Sequence, residues 1–375
     1  MTTQSIAWRR FAVIGTLSVA AVAAALPTTR ANAHDAAAAA GPSTLPAATV
    51  VSGPPTGSKG PDDLTRLAVD GLAGGRPLLW TAFQNGIGPD GTPATGGPMT
   101  STVAGYDPRN GSSPVRTIAV TGKVDGLTAD PRTHRLIATV NEDSNSGLAV
   151  VDPATGTVTA YQYSPSPEVS GNGGSDSVAV RNGEIFVVHS NPNDTTQAAE
   201  YAVTLDGATA TAQLTPVFLC GSTATDAVTG VSAPLAMADP DTSAFMPGSA
   251  PRFAGQLATV GQADGQIVFA AKPDGKAAPK LTVLNLSDGT GATPQVDGLA
   301  TATAGRGTLY VVDNKPGTIT ALDTSGWPAG TVFVGSPNGL GTLDLSTGAI
   351  TPLGNSFTAP KGLVFVPAPS SEGDG

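Results

Sequence analysis

Between residues 62 and 367 short apolar, β-branched runs alternate with Gly, Asp, Asn and Pro turns, and no amphipathic helical stretch of useful length interrupts them. Such a pattern predicts strands joined by tight hairpins. One unit recurs as an apolar strand, then Asp or Asn, then a Gly-containing turn. It ends at Asp107, Asp152, Asp206, Asn285, Asp323 and Asp344, which makes six copies. Most copies follow a second apolar run that ends near Asn, at residues 78–85, 136–141, 185–191 and 309–314; residues 266–271 form a version without the Asn. A third unit, opened by Asp63, Asp125, Asp176 or Asp297, comes before these runs, and short runs such as 115–120 and 158–163 close the set. Four antiparallel strands repeated about every 50 residues describe a β-propeller.

The fold expected is therefore all-β, a six-bladed β-propeller of four-stranded antiparallel blades. Asp323 and Asp344 leave room for only one strand between them, near residues 331–334. The last blade then lacks a local first strand, and residues 360–367 have the shape to supply it and close the ring. Seven blades is the alternative, because the spacing from Asp206 to Asn285 is unusually long. Six blades requires residues 221–252, rich in Ala, Pro, Ser and Thr, to be an insertion.

The N-terminus reads as an address. Arg9 and Arg10 precede an apolar run over residues 11–26, and Ala31-Asn32-Ala33 has the form of a cleavage site. Residues 1–33 are thus expected to be a signal peptide, with secretion or periplasmic export after cleavage near Ala33. No lipid-anchor Cys adjoins that point, so no stable membrane anchor is expected in the mature chain. Residues 34–61, mostly Ala, Pro, Gly, Ser and Thr, are expected to be a disordered linker, residues 62–367 the propeller, and 368–375 a disordered tail.

Charge narrows the partners. Acids outnumber bases 29 to 19, and cleavage at Ala33 would remove three more bases. Nucleic acid is excluded as a partner, since it demands a basic footprint. With 13% charged residues and 47 glycines the chain is not a helical bundle. Cys220, the only cysteine, follows Val217-Phe218-Leu219 and reads as a buried hydrophobe.

In a four-stranded blade, the loop entering the first strand and the loop leaving the second share a face. Asp63, Asp125, Asp176 and Asp297 should therefore meet Asn85, Asn141, Glu142, His189, Asn191, Asp313 and Asn314 at one mouth of the channel. Lys361 occupies the slot of Asp125 and Asp297 in the closing strand and should supply counter-charge among the acids. His134 falls on the opposite face, so no joint site with His189 is expected. Asp before Gly and Asn after a strand are also ordinary turn residues, so a purely structural role stands beside the binding one. No nucleophile elbow, phosphate loop or zinc motif occurs, and no catalytic residue is assigned.

Residues 127–156, Leu-Thr-Ala-Asp-Pro-Arg-Thr-His-Arg-Leu-Ile-Ala-Thr-Val-Asn-Glu-Asp-Ser-Asn-Ser-Gly-Leu-Ala-Val-Val-Asp-Pro-Ala-Thr-Gly, resemble a repeat of the YVTN-type propellers. These share a group with the NHL-repeat and gluconolactonase-like propellers. The resemblance implies the fold, and the group contains lactonases, lyases and binding scaffolds. Its gluconolactonase-like members hold a divalent ion at the channel mouth with carboxylate and amide oxygens. Ca²⁺ or Mg²⁺ on Asp125, Asp176 and Asp297 is the corresponding possibility here, with no cofactor required otherwise. The function expected is a secreted, non-catalytic propeller that binds a small molecule, glycan or protein through its Asp/Asn-lined face. The alternative is a divalent-metal-dependent lactonase or hydrolase.

Overall fold

The computed structural model describes residues 45–168, 173–273, 277–354 and 356–369. The predicted signal peptide and residues 370–375 of the predicted tail lie outside them. The described chain is all-β, with no α-helix. β1 (Ala48–Ser52) precedes a unit of β2 (Pro61–Ala68), β3 (Pro77–Phe83), β4 (Thr100–Tyr106) and β5 (Arg116–Thr121). β6 to β9 (Val124–Asp130, Arg135–Val140, Gly147–Asp152, Thr157–Ser164) and β10 to β13 (Ser175–Arg181, Glu184–His189, Ala198–Asp206, Thr211–Leu219) repeat it. β14 (Thr223–Asp226) and β15 (Ser232–Pro234) then precede β16 to β19 (Pro240–Phe245, Leu257–Gly261, Gln266–Ala271, Lys280–Asn285). The remainder is β20 (Gly298–Thr301), β21 (Gly307–Asp313), β22 (Thr318–Asp323), β23 (Val332–Ser336), β24 (Gly339–Leu343), β25 (Ile350–Pro352) and β26 (Pro360–Pro367).

The first four units are antiparallel meanders, as the hairpin spacing predicts, but the sheets are not all four-stranded. β6–β9 and β10–β13 join edge to edge through a parallel pair, Thr211 to Gln213 against Gln162 to Ser164, giving eight strands. β14 adds to β19 in parallel and carries β15, giving six. The stretch read as an insertion therefore contributes two outer strands and also β16, the first strand of its unit. The predicted linker likewise contributes β1, which covers the edge of β22 (Thr49 opposite Ala321). An unpaired edge is a template for wrong pairing, and five short residues of modest hydrophobicity are enough to cover this one.

The last two units are interlocked rather than sequential. β20 pairs with β23, whereas β21 and β22 form a sheet with the C-terminal β26 and with β1. Closure by residues 360–367 is thus present, but against β21 and not against the strand near 331–334. The first strands adjoin one another in the order β2, β6, β10, β16, β20 and β26, and β26 adjoins β2.

Apolar layers fill the space between neighbouring sheets. Leu78 and Trp80 of β3 pack with Leu136 and Val151, and Phe186 packs with Leu257 and Val268. Trp80 lies flat over Gly105, where a Cβ would sit 2.7 Å from the ring. Trp327 is buried edge-on to Phe333 (centroids 5.6 Å apart) and anchors the short connection from β22 to β23. Cys220 is buried in the same way, and burial pushes its thiol up to about 12. The turn acids behave as their Gly neighbours predict: Asp152, Asp206, Asp323 and Asp344 each accept a backbone N–H two residues on.

Candidate functional site

The first strands share a local irregularity. β2, β6, β10, β16 and β26 each bulge within their first four residues, so that two residues oppose one on the neighbouring strand. A bulge re-aims a side chain and sharpens the twist. Aligned through these pairings, Asp62, Asp125, Asp176, Asp241 and Lys361 hold one equivalent position. Asp297, whose N–H donates to Gly335 O (2.9 Å), holds it ahead of β20. All of them line a single cavity of about 250 Å³, together with Asp63, Glu142, Asp143, Asn191, Asp239 and Gln262.

The residue after the equivalent position explains the Asp-Gly pairs. A Cβ on Gly126 would lie 2.6 Å from Thr139 Oγ1 and 2.7 Å from Asp176 O. On Gly298 it would collide with the carbonyl oxygen of Lys361, and on Gly362 with the backbone at Asp63 and Leu64. These glycines let neighbouring first strands approach closely. They do not form hairpin turns, which corrects the turn reading of Asp125 and Asp297.

Two amides and two lysines separate the carboxylates. Gln84 Nε2 donates to Asp62 Oδ2 (2.8 Å) and Asp125 Oδ1 (3.0 Å). Gln262 Nε2 donates to both Asp241 and Asp297. Lys123 Nζ pairs with Asp125 Oδ1 (2.6 Å) and with Glu142, and Lys361 Nζ with Asp62 Oδ2 (3.1 Å). Asp125 Oδ2, in a side chain only 3% exposed, has no partner.

Nine carboxylates line the cavity against one lining cation, Lys361. Burial raises Asp125, Asp176 and Asp241 well above the usual carboxylate range, and neighbouring acids add to the effect at each. Asp63 is pushed up to about 7 by burial and the Asp62 charge, against the Leu127 N–H that it accepts at 2.8 Å. The pull of Asp62, Asp297 and Asp241 outweighs burial at Lys361 and holds its ammonium charged. Burial opposes Lys123 most, yet Asp125 and Glu142 together raise it. The site therefore holds its two cations charged and disfavours full ionisation of its acids. Among the described residues no three His, Cys, Asp or Glu side chains converge in a metal-binding group. Asp62, Asp125, Glu142, Asp241 and Asp297 are held by amide and ammonium donors instead, so this arrangement does not fit a preformed divalent site.

Of the residues singled out from sequence, Asp125, Asp176, Asp297, Glu142, Asn191 and Lys361 line the cavity, as does Asp63. Asn141, His189 and Asn314 do not. Asn141 Oδ1 accepts the Lys123 N–H (2.9 Å) while its Nδ2 donates to Asn145 O (3.0 Å), which fixes its own turn. Asn314 Nδ2 donates to Pro61 O (2.7 Å) and ties β21 to β2. His189 is buried, its Nδ1–H donates to Ala198 O (2.8 Å), and burial lowers its pKa. Asn85 and Asp313 are likewise spent on backbone, at Thr100 O and at the N–H groups of Thr358 and Ala359. His134 bonds Ala68 O at the far end of the strands. Asp62, Asp241, Gln84 and Gln262 escaped the sequence reading. Asp62 and Gln84 lie one residue from the ones chosen, Asp241 falls inside the supposed insertion, and Gln262 follows β17, a strand whose run carried no Asn signal.

No family model matches the chain, and no curated protein matches it. Solved structures do. The periplasmic gluconolactonase PpgL of Pseudomonas aeruginosa matches at 14% identity over 82% of this chain and 88% of its own, TM-score 0.46. A Lactobacillus plantarum protein matches at 14% over 82% and 89%, TM-score 0.46. Virginiamycin B lyase from Staphylococcus aureus matches at 10% over 87% and 75%, TM-score 0.43. The likeness of this chain to these three structures is one of fold alone.

Proposed function

We propose that the chain is an exported, six-bladed β-propeller that binds a positively charged small molecule at its acidic channel mouth without transforming it. Six first strands adjoining in a closed order support the blade count, with β14 and β15 as additions to the fourth blade. The N-terminal address supports export with cleavage near Ala33, and no helix among the described residues is long and apolar enough to cross a membrane. One observation carries the binding reading: five of the six equivalent ring positions are Asp, lining a polar cavity around one Lys. Such a site favours ammonium or guanidinium groups, which meet several acceptors at once and relieve carboxylate repulsion.

The test is calorimetric titration of the full chain with spermidine, with Ca²⁺ and Mg²⁺ in parallel. Saturable spermidine binding that weakens with salt and is lost in Asp176→Asn/Asp241→Asn supports the reading. Stoichiometric Ca²⁺ without spermidine binding, or lactone turnover abolished by chelator, overturns it in favour of a metal-dependent lactonase.

A further inference from the structure

At the opposite end of β2 the charge reverses. Asp62 faces the acidic cavity, and Arg66 lies four residues further along, about 13 Å away at strand spacing. Arg66, Arg76, Arg109 and Arg306 line one groove of about 810 Å³ where the β2–β5 sheet meets the β21–β22–β26 sheet. They are four of the nine arginines among the described residues. The other arginines that make described bonds spend them on backbone carbonyls or on Asp152. Inside the groove the pairing is incomplete. The buried Asp107 takes both Arg76 (2.6 Å) and Arg109 (3.5 Å), so one carboxylate serves two guanidiniums. Asp107 lies behind the groove rather than in its lining; Asp323 is the only acid that lines it, and it accepts the Ser325 N–H (2.8 Å). The side chains of Arg66 and Arg306 make no hydrogen bond or ion pair with any described residue, and Arg76 Nε is buried without an acceptor.

We infer that this groove is a second binding site, for an organic polyanion bearing phosphate or carboxylate groups. Guanidinium forks match such oxyanions with paired N–H donors. The groove also holds the neutral hydroxyl of Tyr310, whose pKa burial raises against a Thr308 hydrogen bond and the pull of Arg66 and Arg109. Leu79, Pro77 and Val366 give the groove apolar wall to receive the rest of such a molecule. Two uncompensated positive charges in so acidic a protein concentrate affinity here and exclude cationic ligands, which the other end attracts. The inference stands apart from the acidic cavity, and either site can fail without the other.

Inorganic tripolyphosphate and citrate are the probes, titrated into the full chain by calorimetry at low and high salt. The wild type should saturate with one of them by about 1 mM. Arg66→Gln/Arg306→Gln should weaken binding at least about tenfold, since each lost charge-assisted pair is worth that much. Arg132→Gln, a surface arginine elsewhere, should bind as the wild type does. Because Arg66 and Arg306 make no bond to a described residue, the double variant should unfold at the wild-type temperature. Preference for tripolyphosphate over citrate assigns a phosphate ligand, and the reverse a carboxylate. No saturation of the wild type, or equal affinity in the double variant, overturns the assignment.

Discussion

Glu200 on β12 is fully buried where that strand faces β17, and its Oε2 accepts the Thr259 hydroxyl (2.8 Å) while Oε1 has no partner. Burial pushes its pKa from 4.5 to about 8, with the hydroxyls of Thr259 and Ser243 only partly opposing. No nearby charge contributes, so its titration is separate from that of the acidic ring. The sign follows from proton linkage. Between those two values the folded state holds a proton that the unfolded state has released, so stability falls as pH rises. At roughly 1.4 kcal/mol per pH unit, the loss accumulated from pH 5 to pH 8 comes to about 4 kcal/mol. Glu200→Gln keeps the size and an acceptor for Thr259 but removes the titration. Urea unfolding of both proteins at pH 5 and pH 8 isolates the effect, because contributions from the ring cancel in the difference. The variant should be close to wild type at pH 5 and more stable by several kcal/mol at pH 8. A difference independent of pH would show that Glu200 is not held neutral in the folded protein, and the reasoning would fail.

Two further substitutions test how the ring is held. Lys361→Met removes the cation that offsets Asp62, Asp241 and Asp297; discounted for its partial exposure, the cost is about 2 kcal/mol near pH 8. Chemical denaturation should show a smaller cost at pH 5, because burial raises the pKa of Asp241 and Asp297 and favours their neutral forms there, and equal costs at both pH values would refute the counter-charge role. Gly298→Ala should cost about 3 kcal/mol or more, since its Cβ meets the backbone oxygen of Lys361 and not a movable side chain. Gly305→Ala, with open space around it, is the control, and matching melting temperatures for the two would argue against close strand approach.

What could be read from sequence was local or periodic. The hairpin acids such as Asp152 and Asp344 bond backbone two residues away, so a short window contains the whole interaction. Asp125, Asp176, Asp297 and Lys361 were legible because the repeat marks equivalent positions. The first blade was misread by one residue: the run Asp62-Asp63 offers two candidates, and only the bulge pairing distinguishes them. Asp241 was hidden because β16, Pro-Asp-Thr-Ser-Ala-Phe, lacks the apolar alternation of its equivalents. The interlocking of β20 with β23 and of β26 with β21 depends on long-range pairing, and β20 offers only four residues of pattern. The arginine groove gathers residues from 66 to 306, a combination with no sequence signature at all.

Closure of the fold and completion of the site converge on one strand. β26 fills the gap between β20 and β2, pairs with β21, and brings Lys361 to the only ring position that is not acidic. Carboxylates sharing a desolvated cavity resist ionisation together, so the ring gains more from a cation at that position than a lone Asp would. That cation arrives only when the C-terminal strand docks. The other end of β26, at Val366 and Pro367, forms one wall of the arginine groove. Docking of a single eight-residue strand thus completes the acidic cavity at one end and the basic groove at the other. Placing opposite charges at opposite ends keeps each cluster away from the partner that would neutralise it, and leaves both open to ligands of opposite sign.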